Sequence, residues 1–212
     1  MKKLNFLAYF FIFVVIYCLF VFTNDNASDI FKYIGFALIA ILAIIVAIYF
    51  SYLLIQRKQN DKLNKMIEDK KYDEVIDIIK AKETKKHSFY QQDIYDFLLV
   101  LAYAYKDDKE KTLECIENLK GKDSYPQVYY YLACYNFLDD KMDELALYHH
   151  MFTNSYTYIA HPEAYSNLNK MFRVLCKFKD NKEEALSMLE LVDTNSFTIP
   201  CSLKAIEKIK KD

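Results

Sequence analysis

The sequence predicts an all-α chain: a two-helix transmembrane hairpin followed by an α-solenoid of antiparallel helix pairs. Three observations carry that reading. Glycine occurs twice and proline three times in 212 residues, so helices meet few breakers. Two stretches near the N-terminus run for 19 and 23 residues without a charge. Behind them, a charged turn between apolar stretches recurs four times. The domain boundaries that follow are a hairpin over residues 1–56 and a helical-repeat domain over 57–212.

The first apolar stretch, "LNFLAYFFIFVVIYCLFVF", covers residues 4–22, and the second, "YIGFALIAILAIIVAIYFSYLLI", covers 33–55. A spanning helix needs about 20 apolar residues. Each stretch holds fourteen Leu, Ile, Phe or Val. At about −0.3 to −0.6 kcal/mol apiece, insertion of each is favoured by about 4 to 8 kcal/mol before polar groups are counted. The ten residues between them, "TNDNASDIFK" over 23–32, form a short external loop. Lys2 and Lys3 precede the first span, and Arg57, Lys58, Lys62 and Lys65 follow the second. The positive-inside rule then places both termini in the cytoplasm of a multi-pass protein of the cell (inner) membrane. The competing reading of residues 1–27 is a cleaved leader ending at "NAS"; its apolar core is too long for that role.

Within the second span, Ala40, Ala43, Ala47 and Ser51 fall at spacings of three and four, one stripe of small residues. Such a stripe lets backbones approach closely, either in a homodimer or against the first span. No acid, base or histidine lies in either span, which speaks against a proton relay or transport path.

Charge separates the two parts. Residues 1–55 hold three lysines and two aspartates, against 25 Lys or Arg and 27 Asp or Glu in the remainder. A nearly neutral domain has no basic face for phosphates, so nucleic acid is not an expected partner. Gly35 and Gly121 stand alone. No glycine-rich phosphate loop can be written, and no nucleotide cofactor is expected. The excess of Lys, Ile, Asn and Tyr matches the coding bias of an AT-rich bacterial genome.

The repeated turns are "EDKKYDEVIDII" from 68, "YKDDKEKTLECI" from 105, "LDDKMDELALY" from 138 and "FKDNKEEALSML" from 178. In register, Val75, Thr112, Leu145 and Ala185 share one position, at spacings of 37, 33 and 40 residues. Periods of 20–50 residues signal stacked supersecondary units. Asp107, Asp140 and Asp180 are expected N-caps, with Glu110, Asp143 and Glu183 three residues on. Apolar stripes follow: Leu113, Ile116 and Leu119; Leu145, Leu147 and Met151; Leu186, Leu189 and Val192. Pro126, Pro162 and Pro200 lie 36 and 38 apart and mark helix starts, where a missing N–H costs nothing. The second span is expected to continue as helix to about 68. Helices are then predicted over 71–82, 89–106, 109–119, 126–138, 141–153, 162–178, 181–192 and 200–211, with short turns making neighbours antiparallel.

With these residues aligned, residues 60–212 resemble the tetratricopeptide repeat family. Leu132-Ala133 stands at the large–small pair of the family's first helix, Leu145 at its second small position, and "NKEEALSMLEL" with Ala185 matches its second helix. The chain departs from the pattern in its irregular period, in Thr112 and Leu145 where alanine is usual, and in Arg173 where a small residue is usual. The resemblance implies a domain that binds a protein or peptide on a concave face lined by the first helix of each pair. It nominates Tyr103, Gln127, Tyr130, Phe137, Asn167, Lys170 and Lys177 as partner-binding residues. Tyrosine suits such surfaces, being large, stiff and amphipathic.

Nothing points to catalysis. Five cysteines (18, 115, 134, 176, 201) include no C-x-x-C pair and read as small buried hydrophobes. His149 and His150 are adjacent, about 100° apart on a helix, so they cannot share a metal. Asp107-Asp108 and Asp139-Asp140 fall in the turns, where capping explains them. No catalytic, cofactor or metal residue is nominated, and an enzyme is not expected. The expected role is a membrane-anchored adaptor or scaffold, touching the lipid bilayer and a protein partner. The alternative is a structural accessory subunit of a larger membrane complex for transport or secretion.

Overall fold

The computed structural model describes residues 12–17, 19–21, 23, 29–83 and 89–211. Among the described residues every regular element is helical and there is no strand. The chain divides into two compact units, Met1–Asp61 and Lys62–Asp212.

The first unit holds α1, an apolar helix over Ile12–Val21, and most of α2, which runs over Asp29–Glu68 and ends within the second unit. Among the described residues α2 is the one helix long and apolar enough to cross a membrane. Its 40 residues extend about 60 Å at 1.5 Å per residue. It begins four residues ahead of the expected start, because Asp29 in its first turn suits the N-terminal dipole. It ends at Glu68, where the expectation put it. None of its apolar window is buried. The Tyr17 hydroxyl donates to the carbonyl of Phe31 at 3.4 Å. Residues 4–11, Cys18 and Phe22 of the expected first span, Lys2 and Lys3, and the loop residues 24–28 lie outside the described residues.

The second unit holds α3 (Tyr72–Glu83), α4 (Phe89–Tyr105), α5 (Lys109–Asn118), α6 (Gln127–Leu138), α7 (Leu145–Thr153), α8 (Tyr156–Ala160), α9 (Ser166–Phe178), α10 (Lys182–Leu189) and α11 (Pro200–Lys211). Short 3-10 turns occupy Lys122–Ser124, Met142–Glu144, Pro162–Tyr165 and Thr194–Ser196. The periodicity found every one of these α-helices except the five-residue α8, which begins where Ser155 accepts from the amide of Tyr158.

The repeated turns have a common physical device. Lys70, Asp107 and Asp140 hold the equivalent position in three of them, and all three are left-handed, with φ near 60°. Each ends a helix with a nested pair of backbone hydrogen bonds: Lys71 to Met66 and Lys70 to Ile67; Asp108 to Tyr103 and Asp107 to Ala104; Lys141 to Asn136 and Asp140 to Phe137. This satisfies carbonyls left open at a helix C-terminus. The expected N-caps are therefore corrected. Asp107 and Asp140 close the preceding helix, and the next residue starts the following one. Asp108 accepts from the amide of Lys111, and Asn181 from that of Glu184. The Lys111 amide, ahead of its ammonium, holds the Asp108 carboxyl below its usual range.

Two apolar clusters fill the second unit. One joins Leu63, Met66 and Ile67 of α2 to Val75, Ile76 and Ile79 of α3 and to Tyr95, Leu98, Ala102 and Tyr103 of α4. The larger centres on α6, whose residues Val128 to Tyr131, Ala133 to Tyr135 and Phe137 are all buried. Around it lie Phe152 of α7, Phe172 and Leu175 of α9, and Cys201, Ala205, Ile206 and Ile209 of α11. Pairs form as the turns predict: α4 on α5, α6 on α7, α9 on α10. The last helix does not continue that succession. It returns past α10 to lie mainly on α6, reaching α4 as well. Two stripes are also corrected: Leu147, Met151 and Leu186 are exposed, because α7 and α10 bury only Leu145 and Phe152, and Ala185 and Leu189.

Candidate functional site

The residues nominated as a single surface fall in different places. Tyr130 and Phe137 have no exposed surface, and Tyr103 has 5%. The physical reason is α11: its apolar face covers the side of α6 that a concave groove would have left open. Phe137 meets Phe178 edge-on at 5.2 Å, with the Lys208 ammonium 5.1 Å over its ring. Tyr103 belongs to the other cluster. It lines a cavity of about 280 Å³ between α3, α4 and α5, with the ammonium groups of Lys80 and Lys111 5.8 and 5.5 Å from its ring centre. Gln127 is half-buried, and its carbonyl oxygen has no hydrogen-bond partner. Lys170 is exposed on α9. Lys177 pairs with Glu184 at 2.9 Å, and that hydrogen-bonded carboxylate holds its ammonium above the usual range.

Tyr130 and Asn167 do converge. They line a cleft of about 350 Å³ together with Tyr105, Tyr131, Leu168 and Phe197. Its floor comes from α6, one wall from the end of α4, another from the start of α9. The segment Asp193–Ile199 closes it before α11 begins. Three hydrogen bonds fix that segment to Asn167: the side-chain amide donates to the Asp193 carbonyl at 2.9 Å and to the Ser196 hydroxyl at 2.7 Å, and the Asp193 amide donates back to Oδ1 at 2.9 Å. A fourth joins the Tyr105 and Thr198 hydroxyls at 3.0 Å. Four aromatic rings and Leu168 share the walls with Asn167, Ser196, Thr198 and Ser202, and no charged side chain lines the cleft.

One polar group here is enclosed. The Tyr130 hydroxyl has no accessible surface, and the Ser202 hydroxyl and the Cys134 thiol lie beside it. Burial pushes its ionisation well above the usual tyrosine range, so it is a neutral hydroxyl able to donate or accept. Its ring is fixed edge-on to Phe172 at 5.7 Å and lies 5.9 Å from Phe197.

Below the cleft lies a pair of thiols that sequence spacing could not find. Cys134 of α6 donates to Cys201 of α11, 67 positions away, and burial pushes the Cys134 thiol well up. These thiols are inert packing groups in their reduced form. Among the described residues no three His, Cys, Asp or Glu side chains gather in a metal-holding group. His149 instead shares a hydrogen bond with Asn169 at 2.8 Å. No protein-family model, curated protein or solved structure matches the chain.

Proposed function

We propose that this protein is a membrane-anchored adaptor whose tetratricopeptide-like helical domain binds a segment of a protein partner. The observation that carries the reading is α2. Its apolar window is wholly unburied, and the same helix ends in Leu63, Met66 and Ile67, which belong to the core of the helical domain. A soluble helix would bury that window; a bilayer supplies the apolar surroundings instead. The finer arrangement belongs to the same proposal: a two-span hairpin in the cell membrane, both termini cytoplasmic, followed by a solenoid of helix pairs. Ala40, Ala43, Ala47 and Ser51 all lie exposed along α2 and form the face on which a second copy or the first span packs. Tethering concentrates the domain at the membrane, so a weak binding cleft suffices.

A photo-crosslinking residue at Ala164 or Lys170, both exposed beside the cleft, tests the proposal in cells. Capture of a protein there, and not from position 207 on the outer side of α11, supports it. Absence of any protein adduct at both positions overturns it. Exchange of residues 33–55 for an unrelated apolar helix separates adaptor from complex subunit: an adaptor keeps its partner, a subunit loses it.

A further inference from the structure

We propose that the basic stretch of α2 behind its apolar run, Arg57 to Lys65, binds the headgroups of anionic phospholipids. The inference rests on the membrane-anchor reading and names the lipid class that the anchor selects. Arg57, Lys58, Lys62 and Lys65 lie within nine residues of one helix, and all four are exposed. None of them forms an ion pair among the described residues. Asp61 is the only acid over residues 56–67, so the stretch keeps a positive surplus that the chain itself does not neutralise. Helical register fixes where these groups face. Lys58, Lys62 and Lys65 follow at spacings of four and three, which is one stripe. Leu63, Met66 and Ile67 occupy the other side and are buried in the smaller apolar cluster. The folded domain therefore holds the cations away from its own core. Depth supplies the partner. The uncharged run 33–55 has 23 residues and extends about 35 Å, against about 30 Å of hydrocarbon. Arg57 and Lys58 thus emerge at the headgroups, and Lys62 and Lys65 follow within about 15 Å along the axis, with flexible stems that reach back. Four cations directly behind a span match an anionic leaflet, which each near-surface basic residue favours about fivefold over a neutral one.

Lipid retention reads the preference directly. The full chain is placed in nanodiscs holding equal amounts of phosphatidylglycerol and phosphatidylethanolamine, and the lipids that stay bound on release are identified by native mass spectrometry. Phosphatidylglycerol is expected to exceed phosphatidylethanolamine at least about threefold, and the excess should shrink when the discs are equilibrated in high salt. Replacing all four cations by glutamine should remove most of the excess, while replacing the three lysines by arginine should keep it. All four positions are exposed, and unchanged helicity confirms that each variant folds. Arg57→Gln with Lys58→Gln should remove more than Lys62→Gln with Lys65→Gln, because the surface potential decays within about 10 Å. Equal retention of the two lipids, an excess that survives the glutamine variant or is insensitive to salt, or the reverse order of the two pairs overturns the proposal. Excess glycerol phosphate should leave the retained lipid unchanged; if it displaces phosphatidylglycerol, the cations serve a soluble phosphate and the lipid assignment falls. A chain that does not enter the discs removes the anchor and this inference with it. A chain that enters them without preferring the anionic lipid removes this inference alone.

Discussion

Asn167 and Asp193 exchange a reciprocal pair of hydrogen bonds, each 2.9 Å long, across 26 residues of sequence. The side-chain amide of one thereby behaves as a second backbone strand for the other. This contact closes the cleft: it holds the start of the Asp193–Ile199 segment against α9 while Tyr105 holds Thr198 at the far end. Asn167→Ala is expected to destabilise the second unit by about 1–3 kcal/mol, two to three net hydrogen bonds at about 0.5–1.5 each, reduced by partial exposure. Asn167→Asp keeps the acceptor and loses both donated bonds, so it should fall between. Urea unfolding followed by circular dichroism measures the order; an Asp variant as stable as the parent would contradict it.

The last helix depends on its apolar face and not on its ion pairs. Lys204 pairs with Asp107, and Lys208 with Asp140 at 2.5 Å. The two lysines sit one turn apart and reach the same position of two successive repeat turns. Such exposed pairs contribute about 0–1 kcal/mol each and weaken with salt. Ile209 is fully buried, and its truncation to alanine is expected to cost about 2–5 kcal/mol. Lys204→Met should cost no more than about 1 kcal/mol, and the loss should shrink in high salt. A lysine variant as damaging as Ile209→Ala would mean that the register of α11 is set by charge.

What the sequence made legible was local. Glycine scarcity, the charged turns and the apolar spacing place most helix ends to within a residue or two, since caps and periodicity act over one turn; α7 and α9 begin four residues later than expected, after 3-10 turns, and α10 ends three residues earlier. Asp107 and Asp140 close helices where N-caps were expected, because an aspartate serves equally as a left-handed closure or as an N-cap and only the backbone angle decides; in the last turn the cap is Asn181, one residue after the expected Asp180. The site was less accessible. Of the residues expected on one surface, Tyr130 and Asn167 line one cleft, whereas Phe137 and Tyr103 lie elsewhere. Nothing in the spacing of α11 announced that it would turn back onto α6. Its signal was present in retrospect: Cys201, Ala205, Ile206 and Ile209 form a stripe with no remaining helix pair to cover. A pairing between distant elements leaves no mark in a short window, and the Cys134–Cys201 contact was invisible for the same reason.

Lys70 offers a test of the turn geometry free of side-chain effects. It is exposed, left-handed at φ 61°, and makes no ion pair or side-chain hydrogen bond among the described residues. A left-handed residue other than glycine costs about 1–2 kcal/mol, while glycine costs about 0.5–1 kcal/mol more entropy in the unfolded chain. Lys70→Gly should therefore stabilise the second unit by up to about 1 kcal/mol. Asp107→Gly relieves the same backbone cost but loses the pair with Lys204 and should gain less. Thermal unfolding of the two variants side by side measures the difference; a loss of stability in Lys70→Gly would show that the left-handed turn is not strained.

Alkaline pH should unfold the second unit through particular tyrosines. Burial, and then a donated hydrogen bond to Asp123 at 2.9 Å, pushes Tyr129 up to about 12. The same two causes, with Glu144 as acceptor at 2.6 Å, push Tyr148 up to about 12. The fold thus favours the protonated phenol. Below the unfolded value of 10, both states carry it and its contribution to stability is complete. As pH rises from 10 towards 12, the unfolded chain ionises first, and stability falls. Urea titrations across that interval should show a steepening loss of stability in the parent. Tyr129→Phe and Tyr148→Phe remove an ionisable group from both states, so each should flatten the decline while lowering stability at neutral pH by about one hydrogen bond, 0.5–1.5 kcal/mol. Tyrosinate absorbance followed in parallel should rise together with unfolding for these residues. A decline equally steep in both variants would assign alkaline unfolding to other tyrosines.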